Sequence, residues 1–210
     1  MKYWIITLLL ATAAVHAHDL WIDDAQQLYY GHADAATSHG DDKQIIDDNI
    51  AWRQCIGAHD NNASCDLLMV ALKPVYYTKT PYGTKHESKD KLKQVVSSKQ
   101  VFSFAKRIYN PTVSQALNRG FEITLRESAV KARTGDKLRL HIAMDGTPLE
   151  GAPVAYGDRF IGVSDKEGNI NVKIRHGGLQ QIKATYEKKG DGIHTDTLLY
   201  ETHLNLRIVE

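Results

Sequence analysis

The sequence predicts a mainly β protein whose C-terminal half is an antiparallel β-sandwich of immunoglobulin-like or transthyretin-like type. From residue 121 onward, apolar and polar residues alternate in short segments that turn-forming Gly and Asp residues separate. Alternation gives each strand one apolar face, and two sheets can bury such faces against each other. The segments are FEITL (121–125), KLRLHIAM (137–144), APVAY (152–156), RFIGV (159–163), INVKI (170–174), QQIKATY (180–186) and TLLYETHLNLRIV (197–209).

The N-terminal half is less regular but is also predicted to be rich in strands, which are DLWI, QLYY, LLMVAL (67–72) and VYYT (75–78). Between Ser98 and Ile108, apolar residues have helical spacing, and Asn110-Pro111 follows. This pattern predicts one short helix. Residues 31–64 are poor in apolar side chains and are predicted to form a long loop.

Residues 1–17 have the features of a secretory signal peptide. Lys2 precedes an apolar segment from Ile5 to Ala14, and Val15 and Ala17 supply small residues at the −3 and −1 positions of a cleavage site. The apolar segment is shorter than the roughly 20 residues that span a bilayer. We therefore expect a periplasmic protein without a membrane anchor, whose first mature residue is His18. Cleavage after Ala14 is the alternative.

Charge and motifs exclude several functional classes. The chain has 26 Lys and Arg residues against 25 Asp and Glu residues, so no basic surface for nucleic acid is expected. No nucleophile elbow, P-loop, Rossmann fingerprint or HExxH motif is present, and we expect no enzymatic activity. Cys55 and Cys65 are the two cysteines, and an oxidising compartment favours a disulfide between them. A Cys/His metal site that includes His59 is the alternative.

Histidine is the unusual element of the sequence. There are ten histidines, and His18, His32, His39 and His59 lie in an acidic N-terminal segment. An N-terminal histidine chelates a metal through its α-amine and ring Nδ1, and a further imidazole from His32 would give three nitrogen ligands. Such nitrogen ligands suit Ni(II), Cu(II) and Zn(II). His39 and His59 are weaker candidates in polar loop sequence, and His141 and His203 are expected to be exposed or to contact a neighbouring strand.

Three parts of the chain resemble the NikM-like family of periplasmic proteins associated with nickel and cobalt uptake. They are the start AHDLWI, the Gly-His of YYGHAD, and a central and C-terminal region that includes DGTPLEGAPVAYGDRFIGVSDKEG. The resemblance implies a metal-binding accessory to a membrane transporter, with His18 and His32 at matching positions. Ni(II) is then the expected ion, and Co(II), Cu(II) and Zn(II) are alternatives.

These observations give three expected regions: a signal peptide (1–17), an N-terminal metal-binding region (18–117) and a β-sandwich domain (118–210). Two other functions stay open. One is a copper-binding or copper-chaperone β-sandwich protein that also begins with histidine, and the other is an interaction module that binds no metal.

Overall fold

The computed structural model describes residues 19–31, 44–57 and 65–208 of the chain. Sixteen strands lie in these ranges, with short 3-10 turns at Asp47–Asn49 and Lys89–Lys91, and the predicted mainly β class is confirmed. Strands β1 to β8 are Asp19–Ile22, Leu28–Gly31, Gln44–Ile45, Ile50–Ile56, Leu67–Leu72, Val75–Thr80, Gly83–Lys85 and Ser97–Ile108. Strands β9 to β16 are Phe121–Leu125, Lys137–Met144, Thr147–Pro148, Pro153–Tyr156, Arg159–Val163, Asn169–Lys173, Gly178–Lys189 and Thr197–Ile208.

Within the described ranges, the strands form three sheets. The largest has nine strands in the order β13-β12-β15-β16-β8-β5-β4, with β6 paired to β8 and β7 paired to β6. A second sheet has the order β11-β10-β14, with β9 also paired to β10, and β1-β2-β3 form the third. The nine-stranded sheet therefore includes strands from both sides of residue 118. It is mixed, because β8 and β16 pair in parallel.

The main hydrophobic core takes side chains from the nine-stranded and four-stranded sheets together. Phe104, Leu204 and Ile182 come from the first sheet, and Phe121 and Leu140 come from the second. Side chains alternate between the two faces of a strand. On β16, residues 201, 203 and 205 therefore point away from this core, toward what we call the outer face of the nine-stranded sheet.

The short helix predicted between Ser98 and Ile108 is wrong, because these residues form the twelve-residue strand β8. Strand β8 is central in its sheet, with β16 on one side and β5 and β6 on the other. Phe104 and Ile108 enter the main core, while Ala105 is buried on the outer face. A strand that is buried on both faces carries apolar residues at odd and even positions, and this pattern resembles helical spacing.

The long loop predicted over residues 31–64 is also wrong in part, because β4 occupies Ile50–Ile56. Its odd and even positions alternate between exposed and half-buried, as expected for a strand at the edge of a sheet. In the segment IAWRQCI, the half-buried positions include the apolar residues Ile50, Trp52 and Ile56. No helix among the described residues is long and apolar enough to cross a membrane.

Candidate functional site

A hairpin formed by β1 and β2 packs on the outer face of the nine-stranded sheet. Leu20, Ile22 and Leu28 are buried there in one cluster with Val70 and Ala105. Leu20 and Ile22 lie on the same side of β1, because side chains alternate between the two faces of a strand. The ring of Trp21, on the other side of β1, stacks on its register partner Tyr29 with 5.6 Å between ring centroids.

The turn of this hairpin is held by cations from two strands of the sheet. Asp24 accepts hydrogen bonds from Nη2 of Arg107 at 2.6 Å and from Nη2 of Arg207 at 3.0 Å. The Tyr109 hydroxyl donates to the backbone oxygen of Asp23 at 2.9 Å. Burial raises the pKa of Tyr109 to about 12, so this hydroxyl keeps its donor proton at physiological pH. These contacts fix the turn, and with it the direction of the two strands.

Two side chains of β16 accept hydrogen bonds from the backbone of β1. The N–H of Ile22 donates to Oδ1 of Asn205 at 3.1 Å, and the N–H of Leu20 donates to Nδ1 of His203 at 3.5 Å. His203, for which exposure or a cross-strand contact was expected, is only 4% exposed beneath β1. Burial, and then the charge of Lys183, hold the pKa of His203 well below its ordinary value. The imidazole is therefore neutral, as an acceptor at Nδ1 requires.

The open end of the hairpin lies between two clefts on the outer face. One cleft has a volume of about 580 Å³ and is lined by Asp19, Lys183 and Glu201, with apolar walls that include Phe160. The other has a volume of about 400 Å³ and is lined by Tyr30, Tyr77 and, again, Glu201. Strand pairing places Asp19 opposite Gly31 at this end. Gly31 has a φ of 147°, which an L side chain would adopt only under strain.

Glu201 is the acidic residue that both clefts share. Its carboxylate lies 3.7 Å from Nζ of Lys183, and its side chain is 21% exposed. Burial raises the pKa of the Tyr77 hydroxyl, and the negative charge of Glu201 raises it further. The same two causes act on Tyr30, where the charge of Tyr77 also contributes. A carboxylate with acceptor capacity and two neutral phenols therefore surround the open end of the hairpin.

The predicted histidine ligands His18, His32, His39 and His59 lie outside the described residues, as does the signal peptide. Among the described residues, no group of three or more His, Cys, Asp or Glu side chains could hold a metal ion. His86 lies on the wall of the smaller cleft, where its ring meets that of Tyr77 edge-on at 4.9 Å between centroids.

The predicted disulfide is confirmed. Cys55 and Cys65 are bonded, with 5.4 Å between their Cα atoms and a sequence separation of 10 residues. Cys55 is on the edge strand β4 and Cys65 is just before β5, so the bond ties an edge strand to its neighbour. Both thiols are consumed in this bond, which removes the alternative of a Cys/His site that includes His59.

Sequence reasoning missed Glu201 and the burial of His203. Their signal in the sequence was the run ETHLN in β16, where polar residues 201, 203 and 205 alternate with Thr202 and Leu204. Such alternation is also what a solvent-exposed face gives.

Comparison with known proteins finds no matching family model, no matching curated protein and no matching solved structure.

Proposed function

We propose that this chain is an exported transition-metal-binding protein, with Ni(II) or Co(II) as its cargo, that acts as an accessory to a membrane metal-uptake transporter. The metal would be held by His18, as the first residue of the mature protein, together with His32. One observation carries the proposal: β1 and β2 pair so that Asp19 lies opposite Gly31. His18 is bonded to Asp19, and His32 is bonded to Gly31. The two histidines that sequence analysis selects therefore flank one pair of opposed residues.

The distances that covalent geometry allows support a shared ion. Opposed residues of an antiparallel pair have Cα atoms about 4.5–5.5 Å apart, and each next Cα lies about 3.8 Å further along its strand. Imidazole nitrogens bind metals at about 2.0–2.1 Å, and a histidine side chain reaches several ångströms from its Cα. Histidines bonded to two opposed residues are thus near enough to each other along the chain for one ion to bind both.

The chemistry of this ligand set favours a borderline divalent cation. The α-amine and Nδ1 of one histidine close a chelate ring, and the second imidazole adds a third nitrogen. Nitrogen ligands of this kind suit Ni(II), Co(II), Cu(II) and Zn(II), in contrast to Ca(II) and Mg(II), which prefer oxygen. The fixed turn at Asp24 also supports the proposal, because it holds the two strands that lead to the proposed ligands in one orientation.

The proposal is tested with purified protein that begins at His18, titrated with Ni(II), Co(II) and Cu(II) against a competing chelator. We expect one ion per chain and a ligand-field spectrum of nitrogen coordination. His18→Ala, His32→Ala and an added residue before His18 should each weaken binding at least tenfold, while His86→Ala should leave the affinity unchanged. His39→Ala and His59→Ala report whether residues 33–66 add ligands. Unchanged affinity in the His18→Ala/His32→Ala double variant would refute the proposal.

The identity of the cargo needs a different experiment, because affinity alone ranks Cu(II) highest at almost any such site. A strain that lacks this protein should lose nickel-dependent or cobalt-dependent growth and metal uptake. A strain that loses copper tolerance or copper-enzyme activity instead would favour the copper-handling alternative.

An interaction module without metal is the second candidate, and exposed apolar side chains on β13 favour it. Phe160 is 63% exposed and Val163 is 53% exposed on this edge strand. Exposed apolar residues at an unpaired strand edge are typical of a binding surface for another chain. If the protein shows neither a ligand-field spectrum nor a thermal shift with any of the three metals, and Phe160→Ser abolishes capture of one defined partner, this function replaces the first.

We also propose that the four-stranded and nine-stranded sheets form a sandwich of immunoglobulin-like or transthyretin-like type. The shared core of Phe104, Phe121 and Leu140 supports this, together with the antiparallel pairs among the strands after residue 118. An experimental structure that places these sheets side by side in another arrangement would contradict it.

A further inference from the structure

A row of three polar side chains crosses the outer face of the nine-stranded sheet beneath the turn of the β1–β2 hairpin. Strand register places Gln181 of β15 beside Asn205 of β16, and Asn205 beside Arg107 of β8. Neighbouring strands lie about 4.8 Å apart, and register partners point to the same face of a sheet. Arg107 and Asn205 are buried. The row is therefore continuous, and the hairpin covers it.

The nitrogen atoms of this row lack acceptors. Nε and Nη1 of Arg107, Nδ2 of Asn205 and Nε2 of Gln181 are buried and have no hydrogen-bond partner within the part of the chain that the structure describes. Six buried side-chain polar atoms in that part lack a partner, and four of them belong to this row. Oδ1 of Asn205 accepts the N–H of Ile22 at 3.1 Å, which identifies the unpaired atom of this amide as the donor. Leaving a buried donor unpaired costs free energy, so the row requires an acceptor.

The positive charge of Arg107 is also poorly compensated. Its Nη2 donates to Asp24 at 2.6 Å, but the Asp24 side chain is 67% exposed and also accepts a hydrogen bond from Arg207. Two guanidinium groups thus share one carboxylate, and solvent screens that carboxylate more than it screens the buried Arg107. The ring of Tyr109, 5.4 Å from the guanidinium carbon, brings no formal charge. A buried cation in this position favours an anion beside it.

We propose that this row binds one small monovalent anion of the halide class, with chloride as the natural ion, between the sheet and the hairpin turn. The anion accepts hydrogen bonds from Arg107 and Asn205, and Gln181 is the third donor side chain. A halide only accepts hydrogen bonds, whereas a buried water molecule also brings two protons that need acceptors of their own. The burial of all four nitrogens favours a small ion over a larger anion such as phosphate.

The anion acts as a link between the hairpin and the sheet. Arg107 also holds Asp24 of the turn, and Asn205 also holds the backbone of Ile22, so an ion that fixes both side chains stabilises both contacts. These residues lie toward the turn of the hairpin, whereas Asp19 and Gly31 lie opposite each other at its open end. The inference is therefore independent of the proposed metal-binding function.

The test compares the melting temperature of the secreted protein in sodium chloride and in sodium gluconate at equal ionic strength, with a chelator present so that metal binding does not contribute. Gluconate is too large for an enclosed row, and equal ionic strength cancels general screening. Chloride should raise the melting temperature by about 2–4 °C, and bromide should replace it. Crystals grown in sodium bromide should show an anomalous peak within hydrogen-bond distance of Arg107 and Asn205.

Asn205→Asp is the most informative variant. Its Oδ1 still accepts the N–H of Ile22, while its second carboxylate oxygen replaces the donor and supplies a negative charge beside Arg107. This variant should keep the fold and lose the chloride response. Asn171→Asp adds the same charge at an exposed position of β14 and is the matched control, which should respond like the parent. Should Asn205→Asp fail to fold, the bromide experiment on the parent decides.

Three results would each overturn the proposal: equal melting temperatures of the parent in the two salts, a full chloride response in Asn205→Asp, or bromide-grown crystals without an anomalous peak at the row. A bromide peak without any halide-dependent stability would indicate an adventitious ion only and would overturn it as well. Because the chelator excludes metal throughout, the anion site can hold while the metal-binding function fails, and the reverse result is equally distinguishable.

Discussion

The neutral imidazole of His203 accepts the backbone N–H of Leu20, and this bond joins the N-terminal hairpin to the centre of the largest sheet. Nearby charged groups come from three elements, with Lys183 on β15, Glu201 on β16 and Asp19 on β1. In the unfolded chain His203 takes up a proton near its ordinary pKa of about 6.5, whereas in the folded protein it resists protonation until a lower pH.

Stability should consequently fall as the pH drops below about 6.5, because the unfolded state then binds more protons than the folded state. The loss reaches at most about 1.4 kcal/mol per pH unit and ends below the folded pKa. Urea unfolding at pH 7 and pH 5.5 measures it. His203→Gln, which cannot titrate, should show a smaller pH dependence, and the exposed His176→Gln should behave like the parent. Equal slopes in all three proteins would contradict the expectation.

A buried ion pair joins β8 to β9 inside the main core. Nζ of Lys106 donates to Oε2 of Glu122 at 2.9 Å and to Oγ1 of Thr124 at 3.2 Å, and both charged side chains are 1% exposed. Glu122 also accepts the N–H groups of Leu117 and Asn118, which secures the segment before β9.

Removing one charge of this pair should be more harmful than removing both. Lys106→Met leaves a buried carboxylate without its cation and should lower the free energy of unfolding by about 3–5 kcal/mol. The double variant Lys106→Met/Glu122→Gln should recover part of this loss, since the amide oxygen of Gln still accepts a backbone N–H. Denaturant unfolding of the parent, of Lys106→Met, of Glu122→Gln and of the double variant gives the coupling energy. A double variant less stable than Lys106→Met would show that the Glu122 charge is stabilised by other groups.

The contacts of Asp24 predict local rather than global effects of mutation. Asp24→Ala should leave Arg107, whose side chain is 3% exposed, without its carboxylate and should loosen the hairpin turn. Because Asp24 itself is 67% exposed, we expect a modest loss of about 1–2 kcal/mol. Hydrogen exchange at the amides of Leu20 and Ile22 should accelerate while amides of β10 keep their protection. The exposed Asp158→Ala serves as the control, and unchanged exchange in β1 would refute the role assigned to Asp24.

Loss of the Cys55–Cys65 disulfide should destabilise the protein through its unfolded state. Closing a loop of this length contributes about 3 kcal/mol on the chain-entropy estimate. Cys55→Ala/Cys65→Ala should therefore unfold at a lower urea concentration. Reductant should move the midpoint of the parent toward that of the variant and leave the variant unaffected. Equal midpoints with and without reductant in the parent would show that the bond does not stabilise the fold.

Most strands after residue 120 could be predicted from sequence because apolar and polar residues alternate along them, as in KLRLHIAM, where Leu138, Leu140 and Ile142 are buried on one face. Strand β8 could not, because both of its faces are covered and its apolar residues lose the period of two. Its parallel pairing with β16 also could not be predicted from local sequence, because the two strands are far apart in the chain. Strand β4 was missed although IAWRQCI alternates, because polar residues surround it and only its inner side chains are half-buried.

The candidate site was accessible to sequence analysis only in part. Histidines that cluster near a predicted cleavage site can be found by inspection, and the disulfide could be predicted from the oxidising compartment that the sequence leads us to expect. The hydrogen bonds from Leu20 to His203 and from Ile22 to Asn205 depend on how β1 lies across β16, a tertiary relationship between segments 183 residues apart. Polar residues that alternation predicts to face solvent, such as His203, acquire their role only when another segment covers them.

Strand β16, the last of the described strands in chain order, occupies the middle of its sheet, between β15 and β8. Asp196, just before β16, accepts a hydrogen bond from the N–H of Ser98, which lies 98 residues earlier in the chain. Pairings between such distant segments form slowly, because a long chain must first be closed into a loop. The ribosome must therefore finish β16 before the sheet can be completed, and until then the growing polypeptide remains a substrate for chaperones.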